Sequence, residues 1–113
     1  MKVTTTTIGE AAEIMKAQFA RASFKDLLHK VEEKEFTIEE AMVLTPDEHD
    51  SEDARMTGVL KVDGQYYKGI SQGVLQSISL ICSYEEESPL WRTMKFRFGK
   101  TSGKYGQYIL TMV

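Results

Sequence analysis

The dipeptide Asp63-Gly64 constrains this chain more than any other feature, because it stands between two runs that read as strands, residues 54–62 and 65–70. An Asp-Gly pair in that setting signals a two-residue hairpin, whose turn needs positive φ at its central positions. The short loop also fixes register. Val62 then pairs with Gln65, Lys61 with Tyr66, Leu60 with Tyr67 and Val59 with Lys68, and paired residues share a face. One face carries Arg55, Lys61, Tyr66 and Lys68; the other carries Met56, Leu60, Val62 and Tyr67.

The rest of the chain is arranged around that hairpin. Residues 9–31 have helical spacing at Ala11, Ala12, Ile14, Met15, Phe19, Leu27, Leu28 and Val31, as one bent helix or two short ones with Ser23 as a cap. Phe36, Ile38 and the run Ala41 to Leu44 read as a strand that Thr45-Pro46 ends. Ser71 is placed to cap a helix reaching about residue 84, with Val74, Leu75, Ile78, Ile81 and Cys82 as its apolar stripe. Residues 91–99 and 105–113 then alternate as two strands.

The predicted order is strand, strand, strand, helix, strand, strand. It is mainly β with helices and is the order of an OB-fold, a five-stranded Greek-key barrel. The barrel is expected over residues 34–113, behind an N-terminal helical extension over 1–33, in one compact domain. A small α+β sheet with helices on one face is the alternative. A chain of 113 residues suits one modest core.

Composition narrows the function classes. Hydrophobic content of 42% with 27% charged residues is ordinary for a globular domain, and no apolar run is long enough to span a bilayer. The opening MKVTTTTIGE has no apolar segment of the kind that directs export. The single Cys82 has no partner for an internal disulfide and reads as a packed thiol in a reducing compartment. A cytoplasmic location is therefore expected. The net charge of −3 conceals a division: before residue 92 there are 9 bases and 17 acids, whereas from 92 onward there are 5 bases and no acid. Screening at physiological salt acts over about 8 Å, so that basic end counts more than the total.

The basic end contains Gly99-Lys100-Thr101-Ser102-Gly103-Lys104-Tyr105-Gly106. A nucleotide-binding loop needs a glycine five residues ahead of the Gly-Lys pair, but Met94 and Phe98 occupy those positions, and a strand follows instead of a helix. Single-stranded nucleic acid is the better match, since it offers free base faces and a flexible phosphate backbone to aromatic rings interleaved with cations. Lys61, Tyr66 and Lys68 on one hairpin, and Lys95, Arg97, Lys100, Lys104, Tyr105 and Tyr108 on the other, have that character. In a barrel the glycine-lysine loop joins strands four and five, one of the two loops with which such folds grip oligonucleotides.

Catalysis finds little support. His29 and His49 have no recognisable nucleophile beside them, and the acidic run from Asp47 to Asp53 lacks the spacing and the glycine of a calcium loop. No cofactor and no metal are expected. The acidic run reads as a solvated rim or gate. Glu85-Glu86-Glu87 falls at the end of a helix, where the macrodipole disfavours acids.

Three segments carry a resemblance: Ser23-Phe24-Lys25-Asp26-Leu27, the run from Asp63 through Ser71, and Gly99 to Lys104 followed by Tyr108-Ile109-Leu110-Thr111-Met112. In order and spacing they resemble the small single-stranded-DNA-binding proteins of tailed bacteriophages, particularly those that replicate linear genomes from a protein primer. The likeness spans residues 23–113. It implies an OB-type fold, no enzymatic activity, base stacking on strand-borne tyrosines with Tyr67 as the matching hairpin aromatic, and coating of displaced strands during replication. Replication proteins are further expected partners, and a monomer and a homodimer both stay open. The helix before residue 22 and the acidic loop depart from the pattern. A non-catalytic module that contacts a replication or host protein is the alternative.

Overall fold

The computed structural model describes residues 1–101 and 107–113. In chain order the elements are β1 (Lys2–Thr6), α1 (Ala11–Gln18), β2 (Ala22–Ser23), α2 (Phe24–Val31), β3 (Glu35–Phe36), β4 (Glu40–Thr45), β5 (Thr57–Val62), β6 (Gln65–Gly69), α3 (Gln72–Glu85), a 3₁₀ turn over Pro89–Thr93, β7 (Phe96–Lys100) and β8 (Tyr108–Met112). The fold is mixed α/β, with five strands in the order β1-β4-β5-β6-β2 and a second sheet β3-β7-β8.

The β5–β6 hairpin has the register that the Asp-Gly turn dictates, from Val62 opposite Gln65 to Val59 opposite Lys68. Asp63 and Gly64 both have positive φ, 49° and 79°, which matches the twist of the flanking strands. The Gly64 N–H donates to Glu39 Oε1 at 2.7 Å and ties the turn to the start of β4.

Both faces of the large sheet are covered. On one, Val43, Leu60, Val62 and Tyr67 meet Phe24 and Leu27 of α2, Val74 and Ile78 of α3, and Phe96, Phe98 and Leu110 of the small sheet. On the other, Met42, Leu44, Val59 and Tyr66 meet Ile8 and Ala17. A strand buried on both sides has no reason to alternate, which is why β4 reads as the unbroken run Ala41-Met42-Val43-Leu44.

The strand-strand-strand-helix-strand-strand order is present as β4-β5-β6-α3-β7-β8. Among the described residues the ladder does not close, because β7 and β8 pair with each other and with β3 instead of returning to the hairpin. Residues 1–33 belong to the same core: β1 pairs antiparallel with β4, β2 pairs parallel with β6, and α2 supplies Phe24, Leu27 and Val31. The helical segment is two helices. Ser23 caps the second in a reciprocal box, accepting from the Asp26 N–H while the Asp26 carboxylate accepts from the Ser23 N–H.

Two close approaches shape the region of interest. Gly58 and Gly69 face each other across the hairpin, and a Cβ at Gly69 would lie 2.2 Å from the Phe24 ring. The ring of Phe24 sits in that slot, meets Phe98 edge-on at 5.8 Å, and Phe98 stacks on Tyr108 at 5.7 Å. At α3, a Cβ on Gly73 would come within 2.8 Å of the Tyr108 carbonyl oxygen, so the helix lies directly along β8. The Ser71 hydroxyl donates to Tyr108 O and the Ser77 hydroxyl to Leu110 O. Ser71 stands at the predicted cap position, but its hydroxyl is spent on the strand instead of the helix end.

Candidate nucleic-acid interface

The hairpin face that carries Lys61, Tyr66 and Lys68 is not open. Helix α1 lies over it, and the fully buried Ala17 allows the close approach. Tyr66 is 9% exposed, and its hydroxyl donates to Glu13 Oε2 at 2.7 Å. Lys61 Nζ lies 3.5 Å from the same carboxylate and 5.3 Å from the Tyr66 ring centre. Lys68 Nζ donates to the Gln18 carbonyl oxygen at 2.7 Å. The Tyr66 hydroxyl and then Lys16 hold the Glu13 carboxyl down at about 2, whereas desolvation and Glu13 push the Tyr66 phenol up.

Tyr67, on the opposite face, is 2% exposed within the main core. Neither hairpin ring therefore presents a face on which a base can stack, in contrast to the expectation from alternation for Tyr66 and from the resemblance for Tyr67. Alternation specifies which residues share a face and leaves undetermined what covers it. The signal for the cover was the short helix α1, with Glu13 and Ala17 four residues apart on one side.

The second hairpin divides its cations. Phe96 and Phe98 point to the core, so Lys95 and Arg97 occupy the outer face of the small sheet. Arg97 is 3.8 Å from Glu35. Lys100 pairs across with Tyr108 at the open end of the inner face, its ammonium 5.7 Å from the ring centre. Lys104 and Tyr105 lie outside the described residues. Arg92 is fully engaged: its guanidinium reaches Glu40 at 2.8 Å, Glu85 at 3.0 Å and the Glu39 carbonyl oxygen. Glu85 also accepts from the Trp91 indole N–H at 2.6 Å, which accounts for the first acid of the triple run.

Tyr108 and Lys68, assigned to different hairpins, meet at an open groove of about 450 Å³. Phe24, Gly69, Ile70 and Tyr108 supply apolar surface, and Lys25, Lys68, Gln72 and Gln107 supply polar groups. Ile70 is 57% exposed. The charged residues of the wall are both lysines, and no residue of the acidic loop lines it. Asp26, next to Lys25, is occupied in the Ser23 box, whose backbone N–H and hydroxyl lower its pKa. Burial, followed by the nearby Arg21, lowers the pKa of Lys68. The groove offers one half-buried aromatic, backed by Phe98 and overlaid by an exposed ammonium, beside two further cations. Lys25 and Ile70 lie far from the second hairpin in the chain and meet it only in the packed fold, where Phe24 of α2 contacts Phe98 of β7 and the start of α3 lies against Tyr108 of β8.

Elsewhere, burial raises the pKa of the Cys82 thiol, which disfavours the nucleophilic thiolate. Among the described residues no group of three or more His, Cys, Asp or Glu side chains is placed to hold a metal ion, and no helix is long and apolar enough to cross a membrane. Comparison of the chain with protein-family models, with curated proteins and with solved structures gives no match.

Proposed function

We propose that the groove between α2, the end of β6 and β8 takes a segment of single-stranded nucleic acid without regard to sequence. The observation that carries this reading is the convergence of Lys25, Lys68 and the Lys100–Tyr108 pair on one apolar-floored groove whose walls bear no acid. Lysines meet phosphate as point charges. Tyr108 meets a base as a flat surface, and Lys100 moves from the ring to the phosphate as the base arrives. Stacking needs a base with a free face, so a single strand is preferred over a duplex. The chain acts without a cofactor and without chemistry on its ligand.

The succession β4-β5-β6-α3-β7-β8 supports an OB-related architecture opened into two sheets, and the three motif segments support a role in coating displaced strands during phage genome replication. The test is the binding of labelled oligo-dT followed by anisotropy at several salt concentrations, with a duplex of equal length as competitor. Saturable, salt-sensitive binding that the duplex displaces poorly supports the reading. Absent or salt-independent binding refutes it.

A further inference from the structure

Helix α1 is the least anchored helix of the fold. Of its eight residues only Ala17 is buried, against three buried side chains in α2 and five in α3. Ile14 is half-buried, while Ala11, Ala12, Met15 and Lys16 face water. Glu10 stands at its N-cap without a side-chain cap bond, and eight residues are fewer than the roughly 12–15 a helix needs to persist alone. Polar contacts make up the difference. The Glu13 carboxylate accepts from the Tyr66 hydroxyl and from Lys61, and the Gln18 carbonyl, at the negative end of the helix, accepts from Lys68.

The face beneath these acceptors has the makings of a binding surface. Lys61 stands opposite Tyr66 in the ladder and Lys68 follows two residues on, so cation, ring and cation share one side of the hairpin. The neighbouring acids are engaged elsewhere: Glu40, opposite Lys61, by Arg92 and the Thr7 hydroxyl, and Glu39 by the Gly64 N–H. Glu13 is therefore the carboxylate that neutralises the row. Lys68 belongs to the row and to the groove alike, so a phosphate that takes Lys68 from the groove side competes with the Gln18 carbonyl. Ile8 is fixed in the core and Ala22 in β2, which leaves residues 9–21 as the segment that moves.

We infer that α1 is an autoinhibitory cover, with the Glu13 carboxylate and the Gln18 carbonyl occupying the places of phosphate oxygens on a second stretch of single-strand site formed by Lys61, Tyr66 and Lys68. This extends the reading of the groove as a nucleic-acid site and rests on it. Salt titrations of labelled oligo-dT test the cover. Glu13→Ala should free Lys61 and steepen the slope of log affinity against log salt from about −2 to about −2.8, so that affinity falls about fiftyfold between 50 and 200 mM instead of about twentyfold. Glu10→Ala removes the same charge from a residue with no ion pair among the described residues, and its slope should stay at about −2. Lys61→Met added to Glu13→Ala should return the slope to about −2. In the wild type, saturating oligo-dT should speed amide exchange in α1 while the amides of β4 keep their protection. A Glu13→Ala slope equal to that of the wild type, a steeper slope that Lys61→Met does not reverse, or α1 exchange unchanged or slowed at saturation overturns the inference and leaves the groove standing. A wild-type chain that binds no oligo-dT overturns the groove and the cover together.

Discussion

Replacing Lys25 by methionine removes a cation from the groove wall while keeping the length of the side chain, and the consequence is calculable. Among the described residues three cations face the groove or the ring at its mouth: Lys25, Lys68 and Lys100. Each phosphate neutralised on a single strand contributes about −0.7 to the slope of log affinity against log salt, so the wild type should show a slope of about −2. From 50 to 200 mM salt its affinity should fall by about twentyfold. Lys25→Met should bring the slope to about −1.4 and the fall to about sevenfold. Anisotropy of labelled oligo-dT over that range measures both. Lys95→Met provides the contrast, because Lys95 lies beyond the buried face of β7 on the far side of the small sheet. Its slope should stay at that of the wild type. A slope unchanged by Lys25→Met, or reduced as much by Lys95→Met, would show that the ligand follows the second hairpin and not the groove.

Other perturbations separate structural from binding roles. Tyr67→Ala should lower the stability of the fold by about 3–4 kcal/mol in denaturant titrations, the cost of emptying a buried aromatic site, while the folded fraction keeps its oligonucleotide affinity. Gly69→Ala should cost about 1–3 kcal/mol, since its Cβ would lie 2.2 Å from the packed Phe24 ring; Phe24→Leu in the same chain should recover part of that loss. The Glu13 carboxyl is held at about 2 against an ordinary 4.5, so its stabilising contacts are complete above pH 4.5 and are lost as the pH falls toward 2. Hydrogen exchange corrected for intrinsic rates should show α1 losing protection before the β5–β6 hairpin as the pH falls from 6 to 3, and Glu13→Gln should remove the difference between those pH values. Equal protection of α1 at both would refute that account of the cover.

Local rules determined a good part of this molecule. The Asp63-Gly64 turn dictated a register that holds pair by pair, because a two-residue loop with positive φ leaves one alignment. Ser23 marked the start of a helix, where its side chain and that of Asp26 satisfy free backbone N–H groups. The inward alternation of Phe96 and Phe98 follows from the pleat. Other features escaped such rules because they depend on partners distant in the chain. Residues 2–6 carry too few apolar side chains to read as a strand, yet they pair with β4. The two-residue β2 sets Lys25 beside the end of β6 through a parallel pairing for which no local signal exists.

The sequence by itself determined the hairpin, its two faces, the α3 stripe and the concentration of cations toward the carboxyl end, since each follows from the period of a single element or from counting charges. Only the tertiary structure decided which of those surfaces meets water. Alternation places Lys61, Tyr66 and Lys68 together, but α1 arrives from elsewhere in the chain to bury the ring and engage both lysines. The same packing collects Lys25, Lys68 and Tyr108 at one groove. Burial is a property of the packed assembly of elements, and a periodicity read along one strand contains no information about what is laid against it.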